Sequence, residues 1–300
     1  MAALFNYDIC GCDSWGEIFQ KIEIWEPLIH HIFAKEKLRV SKIENLSPGT
    51  NAVFKSGDYV VKIFAPKESG FDVSMDYATE LYSLSFVRSL KILTPKIITH
   101  GIIRDTYDFS YIIMEFIKGV MFDEASLNFT DNEKYFFAKR LREITDLFNK
   151  PCEDFNGIDV LLDQGRYRRW SIFTEKFRDD RLEYLHNHNF GTKVFVHGDL
   201  CGDNLIIDNK NCIYILDFAD SVLAPIVYEH AHLATVLFGF NTNYLNGFFG
   251  KYSTNELVDL CFDGLLMHDF GADIIREKIA ASNELTCLND LRKKLYKLIE

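Results

Sequence analysis

No stretch of this 300-residue chain strings together the 18 or more apolar residues that a membrane-spanning helix needs. No membrane partner is therefore expected. The opening MAALFNYDICGCDSWGE lacks a basic segment ahead of a continuous apolar run and lacks a small-residue cleavage pattern, so no secretory leader is expected either. The seven cysteines (10, 12, 152, 201, 212, 261 and 287) share no repeating spacing, which suits reduced thiols in a cytoplasm better than a disulfide framework. Walker A, HExxH and CxxC patterns are all missing, as are low-complexity segments and internal repeats. Cys10-x-Cys12 reads as an inert pair, and His186-x-His188 and His230-x-His232 have the wrong spacing for metal ligands on one helical face.

Basic residues are also in deficit, 33 against 44 acidic, for a net charge of −11. A field of that sign repels nucleic acid and anionic lipid and attracts cations. Arg166, Arg168 and Arg169 form a local basic cluster with no aromatic ladder beside it and read as a solvated face. What is plentiful is apolar material: 48% of residues, with 26% charged, is the composition of a folded globular chain.

The patterning divides the chain. Ser14 and Glu17 fit a helix capping box, and Ile18, Ile22, Trp25, Ile29, Ile32 and Phe33 recur at helical spacing, with Pro27 expected to kink or split the helix. Strand signals follow at 40–46, 52–55 and 59–64, separated by the turn-rich Ser47-Pro48-Gly49-Thr50-Asn51 and by Ser56-Gly57-Asp58. A helix is predicted over 76–91, then β-rich runs at 96–103 and 110–116. From Thr130, which with Glu133 forms a second capping box, helices dominate, interrupted by short runs at 193–196, 205–207 and 213–216. Lys118-Gly119 supplies a hinge between a strand-rich portion and a helix-rich one, so two lobes flanking a cleft are expected.

The most informative segment is Val196-His197-Gly198-Asp199-Leu200-Cys201-Gly202-Asp203-Asn204. An apolar strand end delivers Asp199, and Asn204 follows five residues later. Tyr214-Ile215-Leu216-Asp217-Phe218 repeats the arrangement, an apolar strand ending in a carboxylate. Asp and Asn often cap turns after strands one at a time. Two strand-end carboxylates with an Asn between them instead match the needs of phosphoryl transfer: one carboxylate to take the proton of an attacking hydroxyl, an amide oxygen and a second carboxylate to hold magnesium against phosphates. Upstream, Lys62 interrupts the apolar strand Tyr59-Val60-Val61-Lys62-Ile63-Phe64, and Glu80 lies on the helix after it. A strand lysine with a downstream helical glutamate is the ion pair that positions nucleotide phosphates in kinase-like folds.

His197-Gly198-Asp199-Leu200 to Asn204, then Leu216-Asp217-Phe218, with Lys62 and Glu80 upstream, resembles the aminoglycoside phosphotransferase and choline kinase superfamily over about residues 43–238. The resemblance implies an α+β, protein-kinase-like bilobal fold: residues 1–117 an antiparallel-sheet nucleotide-binding lobe with a helical extension, and 118–300 a helical lobe with catalytic loop and acceptor site. It implies Asp199 as catalytic base, Asn204 and Asp217 as Mg2+ ligands, and ATP or GTP as donor. Nucleotide contacts would come from Ser47, Gly49, Thr50 and Asn51, whose amides could form an anion-binding nest, from Lys62 and Glu80, and from the backbone of Glu115 and Ile117.

The departures narrow the acceptor. There is no G-x-G-x-x-G, Gly198 stands where protein kinases carry an arginine, and Asp217-Phe218-Ala219 is followed almost at once by a helical stretch at 228–238. Too little chain remains for a segment that docks a polypeptide, so a monomeric enzyme with a small-molecule acceptor is expected. The net charge, with Asp220, Glu229, Asp263 and Asp269 as candidate acceptor ligands, favours a cationic acceptor of aminoglycoside type and hence a part in antibiotic resistance. A choline, amino-sugar or other metabolite kinase shares every catalytic residue, and a non-catalytic nucleotide-binding relative is the rival class. Intact Asp199, Asn204, Asp217 and Lys62 speak against the latter.

Overall fold

The computed structural model describes residues 3–47, 49–71, 73, 75–162 and 164–300, and the side chains of 164–167 are outside that description. Two short helices open the chain, α1 (Cys12–Ile18) and α2 (Ile22–Lys35), followed by strands β1 (Ile43–Asn45), β2 (Ala52–Ser56) and β3 (Tyr59–Ile63). Helix α3 (Asp76–Ser89) precedes β4 (Ile97–Arg104), β5 (Asp108–Glu115) and β6 (Val120–Met121). Helices α4 (Phe122–Ala125), α5 (Asp131–Phe148) and α6 (Glu175–Asn187) come next, then strands β7 (Lys193–Val196), β8 (Leu205–Ile207), β9 (Ile213–Ile215) and β10 (Val222–Pro225). Five helices close the chain: α7 (Val227–His232), α8 (Thr242–Phe249), α9 (Thr254–Met267), α10 (Gly271–Ile274) and α11 (Leu288–Ile299).

The chain separates into two compact units, the first made of 1–89, 93–119 and 208–219, the second of 90–92, 120–207 and 220–300. In the first, five antiparallel strands run in the order β1-β2-β3-β5-β4. The two-residue alternation of a strand sorts its side chains by face. On β3 and β5, Val61, Ile63, Phe109, Tyr111 and Ile113 join a core with Trp15, Trp25, Ile29 and Phe33 of the N-terminal helices. Val60, Ile112 and Met114, with Phe64 just past β3, line the opposite face. Lys62 falls on that second face between Val60 and Phe64, so the alternation itself sends a cation into an apolar layer.

The N-terminal expectations need correction. Helix α1 begins after Gly11 without a side-chain cap. Ser14 Oγ instead donates to Gly11 O and accepts from Cys10 N, so no capping box with Glu17 forms. The helical stripe breaks at residues 19–21, and Pro27 sits inside an unbroken α2. Helix α3 stops at Ser89, two residues short of the predicted end.

The second unit holds β7 and β10, paired antiparallel with Val196 opposite Val222, and the β6–β8 pair. The predicted box at the start of α5 is present: Thr130 Oγ1 accepts from Glu133 N, and Glu133 Oε2 accepts from Thr130 N. In the basic cluster, Arg169 is engaged: its guanidinium is 3.2 Å from Asp273 and lies over the Phe270 ring at 4.7 Å.

Candidate active site

The first unit carries a buried lysine held by two carboxylates. Lys62 Nζ lies 2.8 Å from Glu80 Oε2 and 2.7 Å from Asp217 Oδ1. Burial works against the ammonium, but the charges of Asp217 and Glu80 outweigh it and raise the lysine above its ordinary range, so it stays protonated. Burial pushes Glu80 up to about 7, against the pull of Lys62. Asp217 differs from Glu80 in being 44% exposed. It follows β9 with φ 51°, a left-handed conformation costly for a residue with a side chain, which aims the carboxylate back at Lys62.

Of the predicted phosphate loop, Pro48 lies outside the described residues, while Ser47, Gly49 and Thr50 are exposed. Asn51 is buried, and its Oδ1 accepts from Ala65 N at 3.0 Å, just beyond β3, so its side chain braces the loop and is not open to a ligand. Thr50 O is held by the Trp15 indole N–H at 2.8 Å. At the hinge, Glu115 N donates to Lys96 O and Phe116 N to Asp58 O.

The second unit carries the other half of the motif. Strand β7 ends at Val196, and the chain turns through His197 and Gly198 into Asp199. Gly198 has φ 88°, and a Cβ there would lie 2.0 Å from the Asp220 carbonyl oxygen, so only glycine fits. Asn204 is drawn back onto Asp199 by the intervening turn: its Nδ2 donates to Asp199 O at 2.8 Å and to Asp199 Oδ2 at 3.2 Å. Burial raises the Asp199 pKa, but hydrogen bonds from His232 and Asn204 and the neighbouring imidazoles bring it below the usual carboxylate range, so its oxygens are ionised and able to accept hydrogen bonds at neutral pH.

Four acidic residues were expected at an acceptor site, and the structure reassigns two. Glu229 is 1% exposed. It accepts from the backbone amides of His197 and Gly198 through Oε2, and from Asn149 Nδ2 through Oε1 at 3.1 Å. Burial pushes it up to about 7, and these donors pull the other way. A carboxylate so enclosed holds the His197-Gly198 turn and cannot meet a ligand. Asp263 on α9 is taken by Tyr184 Oη at 2.5 Å and faces His188 Nε2 at 3.6 Å. The Asp220 carbonyl abuts Gly198, whereas Asp269 has its Oδ2 3.9 Å from the Arg169 guanidinium and its N–H on Tyr228 Oη at 3.2 Å.

The residue types available fit a magnesium ion. Asp217 and Asn204 offer hard oxygen donors, and the Asn204 amide nitrogen is the end engaged by Asp199, leaving the oxygen end for a metal. Among the described residues no three His, Cys, Asp or Glu side chains gather as a metal cage.

The model of the phosphotransferase enzyme family matches residues 47–259, most of the chain and a span that includes Lys62, Asp199, Asn204 and Asp217. The chain belongs to that family. Membership makes it a phosphotransferase with a protein-kinase-like fold, of the kind that acts on small molecules. None of the curated proteins compared with it matches. Among solved structures, it is similar to wild-type aminoglycoside 2'-phosphotransferase-IIIa in its GDP complex, at 16% identity over 93% of this chain and 99% of that one, with TM-score 0.62. It is likewise similar to choline kinase LicA from Streptococcus pneumoniae, at 15% identity over 90% of this chain and 97% of that one, with TM-score 0.58. A third is amicoumacin kinase hAmiN in complex with AMP-PNP, at 14% identity, 89% and 93% coverage and TM-score 0.54. Identities this low establish the shared fold. No helix among the described residues is long and apolar enough to cross a membrane.

Proposed function

We propose that this phosphotransferase moves the γ-phosphoryl group of ATP or GTP to a hydroxyl of a cationic small molecule, with Asp199 as the base. The observation that carries the reading is the grip of Asn204 on Asp199 at the end of β7, which fixes a basic carboxylate beside an amide oxygen suited to a metal. Asp199 accepts the proton of the acceptor hydroxyl as its oxygen attacks phosphorus. Lys62, kept cationic by Glu80 and Asp217, binds donor phosphate oxygens. Ser47, Gly49 and Thr50 contribute exposed backbone to those phosphates, and the base edge meets the Glu115 carbonyl and the Ile117 amide. Asn204 and Asp217 would hold Mg2+, which when bound neutralises phosphate charge.

A cationic acceptor is favoured by the net charge of −11 and by Asp220, whose carbonyl abuts Gly198 next to Asp199. The kanamycin and gentamicin named with solved relatives of this fold, and the choline of another, are acceptors of that charge class. An aminoglycoside is the first choice, with antibiotic resistance as the role and the cytoplasm as the place. The test is nucleoside-diphosphate release from ATP and from GTP with kanamycin, gentamicin, choline, amino sugars and homoserine as acceptors. Asp199→Asn keeps the shape and removes the base, and turnover should fall roughly 10²–10⁴-fold while the fold persists. Near-normal turnover in that variant refutes Asp199 as base. Turnover of neutral acceptors alone refutes the electrostatic choice of acceptor.

A further inference from the structure

We propose that His232 is a positioning residue for the phosphotransfer carboxylate, donating from Nε2 to Asp199 Oδ1 so that the carboxylate plane is fixed from both ends. The proposal rests on Asp199 being the base. His232 Nε2 lies 3.3 Å from Asp199 Oδ1, and its side chain is 3% exposed. The opposite oxygen, Oδ2, is the one that accepts from Asn204 Nδ2 at 3.2 Å.

Three features make this more than a buried histidine filling space. First, Glu229 and His232 stand three residues apart on α7 and so share a face. Glu229 takes the backbone amides of His197 and Gly198, and His232 takes the side chain of the next residue. One helical turn thus grips both the main chain and the working group of the loop. Second, the imidazole cannot swing. It stacks on His268 with ring centroids 5.0 Å apart and 19° between planes, and His268 stacks on Tyr228 at 4.0 Å. Third, His232 Nδ1 is buried without a hydrogen-bond partner among the described residues. A buried N–H lacking an acceptor is the rarer and costlier defect, so the ring proton belongs on Nε2, facing Asp199.

A carboxylate rotates broadly about its last torsion. Pinned at one oxygen by a 3.2 Å contact, Asp199 would sample misaligned planes; pinned at both, it presents one edge to the acceptor hydroxyl. The Nε2–H of His232 is the donor that sets that edge at Oδ1. Losing that donor should slow the chemical step and leave nucleotide binding alone.

Long-range ¹⁵N–¹H correlation on the unsubstituted protein, with His232 assigned by its absence in His232→Gln, should show the proton on Nε2, and its resonance should shift in Asp199→Asn. In assays with Mg2+, ATP or GTP, and kanamycin or choline, His232→Leu should lower kcat roughly 10- to 100-fold with the nucleotide KM unchanged. His232→Gln, whose amide nitrogen reaches the same point, should recover most of that loss. A ring carrying its proton on Nδ1, or a folded His232→Leu protein with normal kcat, overturns the proposal. Should His232→Leu not fold, the tautomer decides alone. Turnover that survives Asp199→Asn refutes the base assignment; turnover lost there but kept in His232→Leu refutes only the role of His232.

Discussion

Replacing Lys62 by Met removes a cation from a place where one carboxylate can escape to water and the other cannot. The Lys62 side chain is 5% exposed and Glu80 2%, whereas Asp217 is 44% exposed. Asp217 can therefore resolvate, and the cost falls on Glu80. Breaking a buried pair by deleting one partner costs about 3–5 kcal/mol, because the carboxyl left behind must either keep an uncompensated charge or take up a proton in an unpaired buried site. The pH dependence follows. Burial holds Glu80 at about 7 with the lysine present, and without it the value rises further. Below pH 7 both folded proteins carry the proton on Glu80, so the deficit of the variant is constant. Above it the wild type has already ionised while the variant still binds a proton that the unfolded chain has lost. The stability of the variant then falls with rising pH by up to about 1.4 kcal/mol per unit.

Urea denaturation at pH 7 and pH 9 reads this directly. The midpoint of Lys62→Met should lie below wild type at pH 7 and farther below at pH 9. The double variant Lys62→Met/Glu80→Leu should regain most of the lost stability, because apolar replacement of a buried ion pair is close to neutral. It should regain no turnover, because the lysine proposed to bind phosphate is still absent. An equal deficit at both pH values, or a double variant as unstable as the two single losses added together, refutes the reasoning.

Two further outcomes are expected. Gly198→Ala must adopt φ 88° and place its Cβ 2.0 Å from the Asp220 carbonyl, so the loop has to shift; turnover should fall more than the melting temperature suggests, and an alanine protein with normal kcat would contradict the contact. His230, packed on Phe248 and Phe249, is held down to about 3 by burial and by Arg142, while the unfolded chain protonates near 6.5. The unfolded state thus binds more protons between those values, and wild-type stability is lost as pH falls from 6.5 towards 3. His230→Phe removes this contribution, so the stability advantage of wild type over variant should shrink by about 1.4 kcal/mol per pH unit across that window; parallel curves for the two proteins would refute it.

What could be read in advance was whatever the chain encodes contiguously. Asp199 and Asn204 meet because only four residues of tight turn separate them, and β3 places Lys62 by its two-residue alternation, so both appear as local patterns. Glu80 and Asp217 were recognisable by chain order alone, although their meeting at Lys62 is tertiary. The failures share a cause. Glu229 looked like an open acid because acids usually face solvent, yet its partners are the amides of His197 and Gly198, and an amide proton has no residue type by which to find it. In the sequence His232 stands out only as half of a His-x-His pair, whereas its partner lies 33 positions earlier and its spacing signal is the three-residue step from Glu229 on a six-residue helix. Ser14 failed in the opposite direction: it has the cap residue and the glutamate, but its hydroxyl bonds to Gly11 and Cys10 instead. A polar side chain that serves the backbone is set by where the fold brings an unpaired amide. The groups proposed to do the chemistry are therefore easier to find from sequence than the groups that hold them still.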